Sequence, residues 1–162
     1  MDVESIVQTP LNSEFMTFRY ATREDIDCIM RYIRCLAIHE RRLQDVTVTK
    51  EKLEKCLFLY HYAYVVLAEI GGEVVGYAFF YPVVGSYSCS ERMHIEDIFI
   101  NAPLRGNGYG RAFMRHLAKI AKDMGWNGLE WNALDYNTEA IGFYDKIGAT
   151  RETGRVYYYH KL

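Results

Sequence analysis

At 162 residues, half of them hydrophobic and 15% aromatic with only three prolines, the chain has the length and composition of one folded domain with a large core, not of a disordered polymer. Its formal net charge of −2, from 19 basic and 21 acidic side chains without a long run of either sign, argues against a nucleic-acid-binding surface as its main business. Four cysteines with no CxxC pair and five scattered histidines give no zinc pattern, so reduced cytosolic thiols are expected.

Residues 1–15 are polar and mixed, with neither a basic n-region nor an apolar h-region; a loose N-terminal extension is expected there, and not a signal peptide. The patterned domain is expected over residues 16–162. No run approaches the roughly 18 apolar residues that span a bilayer, which implies a soluble cytoplasmic protein with no membrane contact.

Met16 to Ala21 alternates as a short edge strand, and Thr22 with Asp25 forms a variant capping box. Ile26, Ile29, Met30, Ile33 and Ala37 then recur at helical spacing and predict an amphipathic helix ending near His39. Beyond the charged His39-Glu40-Arg41-Arg42, a second helix is expected from about Thr49, with Leu53, Cys56, Leu57 and Tyr60 on one face. Ala63–Ile70 and Glu73–Tyr81 are rich in Val, Tyr and Phe and are separated by Gly71-Gly72 alone, a hairpin signal. Pro82 is expected to close the second of these strands, residues 83–92 to form a loop, and Met93–Ile100 to be the next strand.

The next stretch, Asn101 to Gly110, reads as a tight turn into a helix whose apolar face is Phe113, Met114, Leu117, Ile120, Ala121 and Met124, with Gly125 as its C′ residue. A strand at Gly128–Leu134 must then run parallel to Met93–Ile100 if the crossover is right-handed. A short helix over Asn137–Ile147, stopped by Gly148, and a last strand over Arg155–Lys161 complete the chain. The sum is an α+β (α/β) fold, a mixed central sheet of about six to seven strands flanked by about four helices.

The chemistry concentrates at Met93–Gly110. Gly106, Gly108 and Gly110 fall at alternate positions, where backbone of positive φ and the missing Cβ leave amides open to a ligand. A helix N-terminus comes immediately after, and its free N–H groups and positive dipole end favour an anion that Arg105 could reach. The spacing is one residue short of a dinucleotide fingerprint, and Arg111-Ala112 stands where a P-loop needs Lys-Ser/Thr.

What Arg105-Gly106-Asn107-Gly108-Tyr109-Gly110 resembles is the Arg/Gln-x-x-Gly-x-Gly/Ala loop of the GNAT superfamily of N-acetyltransferases, which holds the pyrophosphate of acetyl-CoA. The stretch from Asn132 to Ala149, with Asn137 opening a helix and Phe143-Tyr144 preceding Gly148-Ala149, resembles a second signature of the same superfamily. With Ile95-Glu96-Asp97-Ile98-Phe99, these features look most like the diamine (spermidine/spermine) acetyltransferase branch and its thialysine-acetylating relatives.

The resemblance implies the GNAT acyl-CoA N-acyltransferase fold, acetyl-CoA as co-substrate, no metal, and a small-molecule amine as acceptor. It also implies a homodimer, for which Tyr157 to Tyr159 are a plausible pairing surface. Cofactor contacts are expected from Ile98, Phe99, Ile100, Arg105, Gly106, Asn107, Gly108, Tyr109, Gly110, Arg111 and Asn137. His39, Glu40, Glu96 and Asp97 are the expected acceptor contacts, with Glu96 taking the amine proton and Tyr144 protonating the thiolate. By strand alternation Glu96 and Asp97 point to opposite faces. Each has a plainer reading: a solvated strand edge for Glu96, packing for Tyr144, a helix cap for Asn137.

A polyamine or related primary amine is the first acceptor implied. Arg151 and Arg155 stand where that branch has an acidic segment, which keeps an amino acid of the lysine or thialysine type in contention, and a protein amine or a non-catalytic CoA sensor are further alternatives.

Overall fold

The computed structural model describes residues 16–161; the expected N-terminal extension lies outside the described residues. Five strands, β1 (Met16–Tyr20), β2 (Tyr64–Ile70), β3 (Glu73–Gly85), β4 (Ser90–Ile100) and β5 (Leu129–Trp131), form one sheet in chain order. Neighbours are antiparallel except β4 and β5, which are parallel. Four helices flank it: α1 (Ile26–His39), α2 (Lys50–Glu54, widening into a π-turn over Lys55–Leu59), α3 (Tyr109–Asp123) and α4 (Thr138–Lys146).

Both faces of the sheet are covered. On one, Phe113, Met114, Leu117, Ile120 and Ala121 of α3 pack on Val66, Ala78, Phe80, Met93 and Ile95. On the other, Ile29 and Tyr32 of α1 and Leu53 and Leu57 of α2 pack on Val65, Leu67 and Tyr77. That is why β2 is apolar at four successive positions, Val65 to Ala68, instead of alternating. Gly71 and Gly72 turn the first hairpin with φ of 59° and 84°, as a primed turn requires.

Three departures from the sequence expectation concern the strands and the end of α3. First, β3 does not stop at Pro82 but runs to Gly85, and β4 begins at Ser90, so most of the expected loop is hairpin. Pro82 lies past the last β2 partner, at Phe80, where β3 has become an edge strand and tolerates a missing N–H. Second, no strand forms over residues 155–161: Val156 and Tyr157 to Tyr159 are exposed, and β5 covers only three of the seven residues expected. Among the described residues the sheet therefore has five strands, fewer than the six or seven anticipated. Third, Met124 is the C-cap of α3 and is exposed, not part of its buried stripe.

A register slip sets the placement of the two acids on β4. Phe80 of β3 opposes Ile95, but Phe79 opposes Asp97, so Glu96 is the extra residue of a β-bulge on β4.

Candidate functional site

The parallel ladder between β4 and β5 is three residues long, from Met93 opposite Leu129 to Ile95 opposite Trp131. Beyond it β4 continues for five residues with β3 on one side and, among the described residues, no strand on the other. The open side is a cleft of about 600 Å³, bounded by β4, the end of α1, the glycine loop, Trp131 to Ala133, and α4. Of the residues expected from sequence, His39, Glu40, Glu96, Asp97, Ile98, Phe99 and Ile100 line it, as do Arg105, Gly106, Gly108, Gly110, Arg111, Asn137 and Tyr144.

Asn107 and Tyr109 do not. The Asn107 amide donates to the carbonyls of Leu104 and Arg105 at 3.3 and 3.2 Å, holding its own loop, and Tyr109 packs against the core under α3. Sequence reasoning passed over Leu36, Trp131, Asn132, Glu139 and Phe143, which also line the cleft. Glu139 alone left a signal, an acid in the first turn of a helix.

Gly106 and Gly108 have φ of 80° and 85°, and Gly108 is the N-cap of α3. Gly110 differs from the expectation of positive φ: it lies inside α3, and its missing side chain makes room for the Phe143 ring, which a Cβ would meet at 3.1 Å. Gly110→Ala is expected to push Phe143 aside at an overpacking cost of about 1–3 kcal/mol, read as a lower Tm together with weaker acetyl-CoA binding in calorimetry. An unchanged Tm and affinity would show that the ring moves freely.

Arg105 is not a free cation at the mouth of the loop. Its Nε donates to the Ile100 carbonyl at 3.1 Å, its guanidinium lies 5.1 Å from the Phe99 ring centroid, and its Nη1 bridges Glu139 at 3.1 Å and His39 Nε2 at 3.4 Å. Arg111 keeps donors for an anion, spending Nη2 on the Lys146 carbonyl at 3.1 Å.

The bulge overturns the opposite-face expectation for the two acids. Tyr77 donates to Asp97 at 2.6 Å, and Tyr81, further along the same face of β3, donates to Glu96 at 2.9 Å. Both carboxylates thus turn to the α1 side beside the cleft. Glu96 is half exposed, with His94 Nε2 at 3.6 Å. Asp97 is deeper: burial pushes its carboxyl up to about 6, against the opposing Tyr77 hydrogen bond and helped by the charges of Glu96 and Glu40. Burial likewise raises the Glu40 carboxyl.

Tyr144 stands across the cleft on α4, its ring 5.1 Å from Trp131, and its hydroxyl takes no hydrogen bond from another described residue. Burial, aided by the charge of Glu40, raises it to about 12. A phenol so placed stays protonated across the working range and has a proton to give. Asn137 caps α4, its Oδ1 accepting from the Ala140 N–H at 3.1 Å, which leaves its amide donors for a ligand. Among the described residues there is no cluster of three or more His, Cys, Asp or Glu able to hold a metal, and no helix is long and apolar enough to cross a membrane.

Residues 23–149 match the sequence profile of the acetyltransferase (GNAT) family. The chain is 32% identical over 136 residues to thialysine N-epsilon-acetyltransferase of Caenorhabditis elegans, covering 84% of this chain and 82% of that one. Over 76 residues it is 37% identical to L-ornithine N5-acetyltransferase NATA1 of Arabidopsis thaliana, 47% of this chain but about a third of that protein (33%). Its fold superposes with a TM-score of 0.79 on an aminoglycoside acetyltransferase from an uncultured soil metagenomic sample in complex with sisomicin, at 19% identity and with 93% and 98% of the chains covered.

Proposed function

The chain belongs to the GNAT family and is an acetyl-CoA-dependent N-acetyltransferase; on that premise we propose that it acetylates the terminal primary amine of a small aminoalkyl compound. The observation that supports this acceptor is the bulge at Glu96, which turns two carboxylates to one face at the rim of the split between β4 and β5. An ammonium suits such a place and an acidic acceptor does not.

The chemistry needs three things of the protein. The ammonium must lose a proton, the thioester carbonyl must be polarised, and the departing thiolate must gain a proton. Glu96, open to solvent, accepts the first proton directly or through water, while Asp97 and Glu40 hold the cation. The backbone N–H groups of Ile98 and Ile100, on the open side of β4 because those of Phe99 and Asn101 turn to β3, polarise the carbonyl as the nitrogen attacks. When the carbon–sulfur bond breaks, Tyr144 gives its proton to sulfur and regains one from solvent. Arg111 and the amides of the Gly106–Gly108 loop and the start of α3 hold the pyrophosphate.

The thialysine and ornithine relatives support a diamino acid acceptor. A polyamine is the second reading, favoured by the carboxylates along the cleft. Arg151 supports neither: it is paired with Asp145 on the exposed side of α4, away from the cleft. The test is release of CoA thiol from acetyl-CoA with thialysine, lysine, ornithine, diamines, spermidine and aminoglycosides. Turnover of aminoalkyl compounds, falling about tenfold to a hundredfold in Glu96→Gln, is the expected result. Tight acetyl-CoA binding with no turnover on any amine would favour a sensor instead.

A further inference from the structure

Beside the cleft lies a second cavity of about 470 Å³. It shares His39, Glu40 and Asn137 to Glu139 with the first and adds two side chains, Arg41 and Tyr136. Arg41 stands where α1 ends. The Arg42 N–H donates to the Ala37 carbonyl at 2.7 Å and the Arg41 N–H to that of Ile38 at 3.0 Å, the two closing bonds of a Schellman turn. The C′ position of that turn is left-handed and usually glycine, yet here it is Arg41, with φ of 57°. Non-glycine residues held in this conformation cluster at active sites and ligand clamps.

The surroundings of Arg41 say what it can hold. The neighbouring Arg42 is held by Asp45 at 2.7 Å, whereas exposed Arg41 forms no ion pair with a described residue. The Tyr136 hydroxyl donates to the Glu40 carbonyl at 3.1 Å and fixes the turn against the loop before α4. Glu40 lines both cavities, and its charge is felt at Asp97 and at Tyr144, so it stands between the acceptor end of the cleft and Arg41.

We propose that the second cavity binds the zwitterionic head of a diamino acid acceptor, with Arg41 pairing its carboxylate while its terminal amine reaches past Glu40 to Glu96 and Asp97. This rests on the proposed transfer to a terminal amine and narrows its acceptor class. A guanidinium takes a carboxylate through two parallel hydrogen bonds. Glu40 and Glu139 in the same wall disfavour a simple anion but suit the α-ammonium of a zwitterion. A diamine offers Arg41 only a like charge, so the residue discriminates against it as well as for the amino acid.

The experiment compares matched acceptors, lysine with cadaverine and ornithine with putrescine, in the wild type and in Arg41→Gln. The amino acids are expected to lose about tenfold to a hundredfold in kcat/KM, through KM with kcat held, while the diamines keep theirs or gain as the like charge is removed; Arg41→Lys should recover part of the loss. Equal losses on both members of a pair, or none on either, would overturn the assignment. Should Arg41→Gln fold poorly, Arg41→Gly relieves the left-handed strain while removing the guanidinium, and the same selective loss is expected. Calorimetric binding of lysine and ornithine to the CoA complex examines the cavity without turnover. Wild type that acetylates none of the four amines, nor thialysine, spermidine or an aminoglycoside, overturns the terminal-amine reading; amino-acid binding that is absent, or indifferent to Arg41, overturns the second cavity.

Discussion

Tyr144→Phe is expected to lower kcat by about a hundredfold to a thousandfold while leaving acetyl-CoA affinity nearly unchanged. The ring sits against Trp131 and Phe143, so packing survives the loss of one oxygen. What disappears is the donor: the phenol, kept protonated by burial, has no hydrogen-bond partner among the described residues and faces the cleft. The thiolate must then leave unprotonated or wait for water. A single-turnover measurement separates chemistry from product release. Should the variant retain full turnover, the acid belongs elsewhere and Tyr144 is a packing residue.

Asp97→Asn is expected to do two opposite things, to reduce activity and to raise stability. The carboxyl ionises at about 6 in the folded protein against 3.8 as a free side chain. The folded state therefore holds this proton more tightly than the unfolded chain does, so the group favours folding below about 3.8, loses that advantage as pH rises through the window to about 6, and is a net burden above it. At pH 8 the burden is about 2 kcal/mol, allowing for partial exposure. Asparagine keeps an oxygen for the Tyr77 hydroxyl, so Tm at pH 8 should rise by about 4–8 °C, with little gain at pH 4. In parallel, kcat/KM of the wild type should climb with pH through about 6 as Asp97 ionises, and this limb should be missing in the variant, whose activity should be about tenfold to a hundredfold lower. A variant no more stable at pH 8 than at pH 4, relative to wild type, would show that the carboxylate is well solvated.

Much of the fold and the site was legible in the sequence because local signals agreed. The spacing of Phe113, Met114, Leu117 and Ile120 foretold the face of α3, and Gly71-Gly72 foretold the hairpin. The opposite-face reading of Glu96 and Asp97 failed because strict alternation was carried through a strand that contains a bulge. A trace of it was there: the apolar residues of that face run Met93, Ile95, then Ile98, Ile100, a step of three amid steps of two. The last strand failed for a different reason. Three successive tyrosines have no period of two, and β5 is too short to offer them an edge. Arg41 and the second cavity were out of reach, since a strained helix end is a property of φ angles and not of composition.

Arg105 touches three walls of the cleft, β4 through Ile100 and Phe99, α1 through His39, and α4 through Glu139. A co-substrate that draws this guanidinium toward its phosphates frees Glu139 and His39 at the acceptor end, and so alters the affinity for the amine without touching it. Such coupling runs both ways: by whatever factor acetyl-CoA changes acceptor binding, the acceptor changes acetyl-CoA binding by the same factor. The two substrates of this enzyme are then each other's effectors, with Arg105 as the shared term.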